Sequence, residues 1–94
     1  MGTIKTFKNA DLKELFDTGA ARRIDARLAR RVRARLEALD NANGDIRTLY
    51  RPGFELHKWK GYDTKWSISV SGPWRITFDW IKNEAHNVDL EQPH

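Results

Sequence analysis

The sequence predicts an α+β domain, with an N-terminal strand and two helices packed on a small antiparallel sheet. Three observations carry that expectation. Between Leu12 and Leu39 the apolar residues recur at three- and four-residue spacing, the period of a helix with one buried face. From Phe54 onward they recur at every second residue, the period of strands with one dry face. The links between the alternating runs, "KGYDTK", "SGP" and "KNEA", are short and turn-rich, as in a meander. The chain has 94 residues, 39% of them apolar, enough for one modest core and not for two, so residues 1–94 read as a single domain.

Each element has its own signature. Residues 2–7 (GTIKTF) read as a short strand, with Ile4 apolar between polar flanks. Asn9 is a good helix cap, and Asp11 places a negative charge in the first turn that follows. Leu12, Leu15 and Phe16 form the buried face of that helix, and Gly19 ends it. The stretch "RRIDARLARRVRARLEALDNANG" predicts a second amphipathic helix, with Ile24, Leu28, Val32, Leu36 and Leu39 on its apolar side and Asn43-Gly44 as its stop. "DIRTLYRPGF" reads as a loop leading into the sheet.

In the second half, Phe54 and Leu56 alternate with Glu55 and His57, and Trp66, Ile68 and Val70 with Ser67 and Ser69. Trp74, Ile76, Phe78 and Trp80 alternate with Arg75, Thr77 and Asp79, and Val88 and Leu90 with Asn87, Asp89 and Glu91. A three-residue loop at Ser71-Gly72-Pro73 sets Val70 opposite Trp74, Ile68 opposite Ile76 and Trp66 opposite Phe78. A turn at Lys82-Asn83-Glu84 sets Phe78 opposite Val88, Ile76 opposite Leu90, and Arg75 across from Glu91. Arg75 then stands on an open sheet face with Ser67, Ser69, Thr77 and His57, opposite the face the helices cover.

Composition narrows the function. There are no cysteines, hence no disulfide framework and no thiolate chemistry. No apolar run approaches a membrane span, the N-terminal residues lack an apolar signal core, and cytoplasm is the expected compartment. The three histidines show no close ligand spacing, so neither a metal nor another cofactor is expected. The net charge of +4 favours an anionic partner, either nucleic acid or an acidic protein surface. Residues 22–35 concentrate that charge: Arg22, Arg23, Arg27, Arg30, Arg31, Arg33 and Arg35 stand against one acid, Asp25. Such a face is either solvated or a contact for RNA or an acidic protein.

The open sheet face offers chemistry. Arginine binds phosphate bidentately and stabilises charge developing on it. Histidine transfers protons near neutral pH, and RNA brings its own nucleophile in the 2′-hydroxyl. His57 and Arg75, with Lys58, Lys60 and Lys65 nearby and Trp59 able to stack on a base, therefore fit a phosphodiester site. The plainer account is a solvated arginine paired with Glu91, tryptophans in the core at positions 66, 74 and 80, and surface histidines at 86 and 94.

The ordering of these motifs resembles a known family. "IKTFKNADLKELFDTG", "FELHKWKG" and "WSISVSGPWRITFDW" resemble the opening strand and helix, the Leu-His-x-Leu-Lys-Gly motif and the Trp-Arg-Ile-x-Phe stretch of HigB-type toxins. These toxins belong to bacterial type II toxin–antitoxin systems and to the RelE/ParE superfamily. The resemblance runs over nearly the whole chain. It implies the RelE-like toxin fold and ribosome-dependent, metal-independent cleavage of messenger RNA. It also implies a hetero-oligomer with a HigA-like antitoxin that carries a helix-turn-helix domain, and no membrane partner. By motif, His57 falls on the catalytic histidine, Lys60 on the basic loop residue, Arg75 on the arginine after the tryptophan and His94 on the final histidine. Lys58 and Trp59 flank the RNA site. Arg27, Arg30, Arg31 and Arg33 are assigned to antitoxin or ribosome contact.

The chain end departs from the family pattern. Gln92 and Pro93 stand where an acid and a tyrosine are common. Glutamine cannot act as a general base, and proline offers neither a hydroxyl nor an aromatic face. Two functions follow: an endoribonuclease, or a family member that binds the ribosome or its antitoxin with little or no cleavage. Gyrase inhibition, as in the ParE branch, is set aside on the motifs.

Overall fold

The computed structural model describes residues 2–92. Two helices, α1 (Ala10–Thr18) and α2 (Ala26–Asp40), precede a 3-10 turn (Ile46–Leu49) and four strands: β1 (His57–Lys58), β2 (Lys65–Ser71), β3 (Trp74–Ile81) and β4 (Glu84–Glu91). The strands form one antiparallel sheet in the order β1-β2-β3-β4. No helix among the described residues is long and apolar enough to cross a membrane.

Local chemistry explains the helix ends. The Asn9 side chain accepts the Leu12 N–H at the start of α1. Gly19, at φ 84, closes α1 by donating to the Leu15 carbonyl, a conformation a Cβ disfavours. α2 starts later than its arginine run because Asp25 caps it, accepting from Arg27 N. Arg22 and Arg23 consequently lie before the helix, paired with Glu14 at 3.2 Å and Asp11 at 3.6 Å on α1. The buried stripes of α1 (Leu12, Leu15) and α2 (Val32, Leu36, Leu39) meet Ile68, Ile76, Phe78 and Val88 in one core on one side of the sheet. Each such fully buried aliphatic contributes about 1.5–3 kcal/mol relative to exposure.

The predicted N-terminal strand lies beside β4, parallel to it, through two separate bridges, Ile4 with Ala85 and Phe7 with Val88. A bulge in β4 explains the interruption. Asn87 takes φ 54, and its N–H turns to Thr6 Oγ1 instead of entering a ladder. The same segment is tied to α2, since Thr3 N donates to the Asp40 carbonyl and Ile4 N to its carboxylate. A Cβ at Gly2 would overlap that carboxylate, which would then have to shift.

The expected pairs Trp66–Phe78, Ile68–Ile76, Ser69–Arg75, Ile76–Leu90 and Arg75–Glu91 are all present. Both turns are nevertheless one residue shorter than expected. At the first, Gly72-Pro73 makes a two-residue turn, Ser71 faces Trp74, and Val70 sits in a bulge. At the second, Ile81 faces Glu84 across Lys82-Asn83, both at positive φ (50 and 63), so a two-residue turn again suits the strand twist. The bulge at Asn87 then adds one residue and restores the expected register below it, leaving Phe78 without a single opposite partner. A longer loop and a shorter loop plus a bulge displace the partner strand equally. The strand expected from Phe54 is cut to His57–Lys58 because Glu55 lies at φ 48. Phe54 still docks on β2, where its carbonyl accepts the Ser69 N–H.

Candidate active site

The register places His57, Lys65, Ser67, Ser69, Arg75, Thr77, Asp79 and Glu91 on the sheet face away from the helices. That face is less open than expected, since Ser67 is 0% and Thr77 2% exposed. Two side chains cover them. Trp59 Nε1 donates to Ser67 Oγ at 2.9 Å, and Thr77 Oγ1 donates to Glu91 Oε2 at 2.5 Å. Lys65 joins the two covers. Its Nζ lies 3.1 Å from Glu91 Oε2, 4.1 Å above the centre of the Trp59 ring and 5.0 Å above that of Tyr62. Trp59 and Tyr62 meet edge-on at 5.8 Å. The result is an aromatic and cationic platform over the middle of the sheet, suited to a base and a phosphate.

Glu91 is the carboxylate of this platform. Burial pushes its pKa up, but the Thr77 hydroxyl and the charges of Lys65 and Lys8 more than compensate, so it sits below the ordinary carboxylate range. It is therefore an anion at neutral pH, engaged by hydrogen bonds. A cleft of about 200 Å³ opens beside it, lined by Lys8, Lys65, Thr77, Asp79, Asp89 and Glu91 among others. Among the described residues, no three His, Asp or Glu side chains converge to hold a metal ion.

Arg75 is part-buried, its side chain 27% exposed. Although Glu91 is its cross-strand neighbour, its ion-pair partner is Glu55, at 3.3 Å from Nη2. Nη1 is buried and has no hydrogen-bond partner among the described residues. Glu91 instead engages Thr77 and Lys65 through Oε2. His57 is exposed on β1 opposite Ser67. Strand spacing puts its Cα roughly 12 Å from that of Arg75, two strands away, a gap that a bound nucleotide can bridge. Lys58 and Lys60 are exposed, Lys60 at the turn with Gly61 (φ 82). His94 lies outside the described residues.

The arginines of α2 divide by task. Arg35 Nε donates to the Ser69 carbonyl at 3.0 Å and Arg31 Nη1 to the Val70 carbonyl at 3.5 Å. These carbonyls belong to the β2 bulge, where the ladder is broken and acceptors need other donors. Arg35 also lies 4.1 Å above the Phe54 ring. Burial, together with Arg31 and Arg51, lowers its pKa from the usual arginine range. Arg27 is exposed and pairs with Asp25 at 3.1 Å, and Arg30 is exposed. Arg33 is half-buried, its Nε without a partner among the described residues. Arg27 and Arg30 thus present charge outward, while Arg31 also serves the hairpin.

Strict alternation puts Glu55 on the same side as His57, and there it pairs with Arg75, a partner that alternation alone does not select. Trp59, expected to stack on a base, is held in place by Ser67 and Lys65.

Nearly the whole chain is similar to known proteins. A family model described as the RelE-like toxin of the type II toxin-antitoxin system HigB matches residues 5–94. A curated relative, Endoribonuclease HigB of Proteus vulgaris, is 39% identical over 92 residues, which cover 97% of this chain and 99% of that protein.

Proposed function

We propose, for a chain that belongs to the HigB-like toxin family of type II toxin–antitoxin systems, an endoribonuclease that uses the polar face of its sheet. Membership in such a system brings an antitoxin partner. The observation that carries the catalytic reading is Arg75: a part-buried guanidinium whose ion pair among the described residues is a single contact to the exposed Glu55, on the same sheet face as the exposed His57.

The chemistry follows from these groups. The 2′-hydroxyl of RNA attacks the adjacent phosphorus, forming a 2′-oxygen–phosphorus bond as the bond to the 5′-oxygen breaks. His57 takes the 2′-hydroxyl proton, and His94 supplies a proton to the departing 5′-oxygen. Arg75 and Lys60 stabilise the added negative charge on the phosphoryl oxygens. Trp59, fixed by Ser67 and Lys65, offers a surface on which a base stacks, and Lys58 adds local positive charge. Because the nucleophile belongs to the RNA, this scheme calls for no metal-bound water. We place the reaction on messenger RNA in the translating ribosome, hence in the cytoplasm. The antitoxin in this reading is of the HigA-like helix-turn-helix kind and holds the toxin in a hetero-oligomer, with Arg27, Arg30, Arg31 and Arg33 on the contact surface.

Primer extension on translating ribosomes tests the site. His57→Ala and Arg75→Ala are each expected to lower cleavage by about 10²–10³, the usual cost of losing one charge-stabilising or proton-transferring group. Circular dichroism should stay unchanged, because neither residue belongs to the core. Cleavage equal to that of the unaltered chain in both variants would overturn the assignment.

A further inference from the structure

Arg75 is not free in the unliganded protein. Its contact with Glu55 is single, Nη2 to Oε1 at 3.3 Å, where a guanidinium and a carboxylate can make a two-pronged fork. Nη1 is buried and has no hydrogen-bond partner among the described residues. The two side chains differ in exposure, Glu55 at 65% and Arg75 at 27%. Glu55 makes this contact from a backbone at φ 48, a region that a residue with a Cβ enters at some cost. Glu91, across the strand pair from Arg75, is engaged by Thr77 and Lys65 instead. The pair is therefore half-made, and its more exposed member is the carboxylate. A phosphodiester oxygen can take the place of Glu55 Oε1 at Nη2 once the exposed Glu55 side chain has swung aside.

We propose that Glu55 is a built-in competitor for the RNA phosphate: it occupies Arg75 in the free protein, is displaced by substrate, and so sets the affinity of the site. This rests on the reading of Arg75 as the phosphate-holding group. Glu55 is in this account a positioning residue that acts through Arg75 and touches no reacting atom. An ion pair as exposed as this one is expected to alter phosphate affinity by about two- to fivefold.

The test is an NMR titration with a 2′-O-methyl RNA trinucleotide, which cannot be cleaved, following the backbone amides of β2 and β3. Glu55→Gln should tighten binding about two- to fivefold by the same reckoning. Glu55→Gly, whose backbone suits the positive φ, should tighten it similarly and guards against a folding artefact in either variant. Arg75→Ala should weaken binding, and adding Glu55→Gln to it should then change nothing. A gain that survives in the Arg75→Ala background would be general removal of negative charge and would overturn the proposal. Unchanged or weaker binding in both Glu55 variants, with Arg75→Ala still weakening it, would also overturn the proposal but leave the active-site assignment standing. Binding unaffected by Arg75→Ala, or absent in every chain, would overturn the phosphate role of Arg75 and the role of Glu55 with it.

Discussion

Replacing Lys65 with methionine should unsettle the platform on the polar face by a calculable amount. The Lys65 side chain is only 19% exposed, and its ammonium serves Glu91 at 3.1 Å and the Trp59 ring at 4.1 Å. Methionine keeps the length of the stem and removes the charge. The lost hydrogen bond to a charged group costs about 1.5–3 kcal/mol, reduced here because Glu91 is a third exposed. The lost cation–π contact costs about 0.5–2 kcal/mol, and a sulfur–aromatic contact returns part of it. The expected net loss near neutral pH is about 2 kcal/mol, read by urea unfolding. Acid pH sharpens the test. Glu91 has a folded pKa below its unfolded one, so its stabilisation is complete above the ordinary carboxylate range and is lost as pH falls through the folded value. Without Lys65, one of the pulls that lowers that pKa is gone while burial still raises it. The stability difference between the two chains should therefore narrow as pH falls into the acid range. A loss under about 0.5 kcal/mol near neutrality, or a gap that stays constant into acid, would refute this account of Lys65.

Three further outcomes are expected. Arg35→Met, which leaves the Ser69 carbonyl without its donor and Phe54 without its cation, should destabilise by about 1–3 kcal/mol in chemical denaturation; an unchanged midpoint would refute the capping role. Arg27→Glu with Arg30→Glu should weaken association with the antitoxin, measured by calorimetry, and leave thermal stability nearly intact, because both are exposed and neither caps the hairpin. Unchanged binding to both antitoxin and ribosome would show that α2 is only a solvated face. Gln92→Asp with Pro93→Tyr should raise cleavage in primer extension, since it restores an acid and an aromatic phenol; equal cleavage would show that the tail does not limit activity.

The α+β class, both helices and the helix-facing side of the sheet were legible in the sequence because each depends on a short-range period. Leu12 and Leu15, or Ile68 and Ile76, announce a buried side whatever the rest of the chain does. The start of α2 depends on a cap, and Asp25, not the first arginine, supplies it. His57 and Arg75 could be placed on one face by parity alone, because the lengths of the connections preserved it. The turns themselves could not be counted from pattern: a two-residue turn with the Asn87 bulge shifts the partner strand as far as a three-residue loop does, and hydrophobic alternation is blind to the difference. Side-chain partners were decided by the tertiary structure alone. Glu91 turns to Thr77 and Lys65, Glu55 turns to Arg75, Trp59 folds over Ser67, and two helix arginines reach the carbonyls freed by the β2 bulge. Each of these contacts joins residues from different elements, and their choice depends on distances set only when helices, bulges and strands have packed. The sequence determines which residues line the polar face, but packing decides which of the charges there find partners on neighbouring elements.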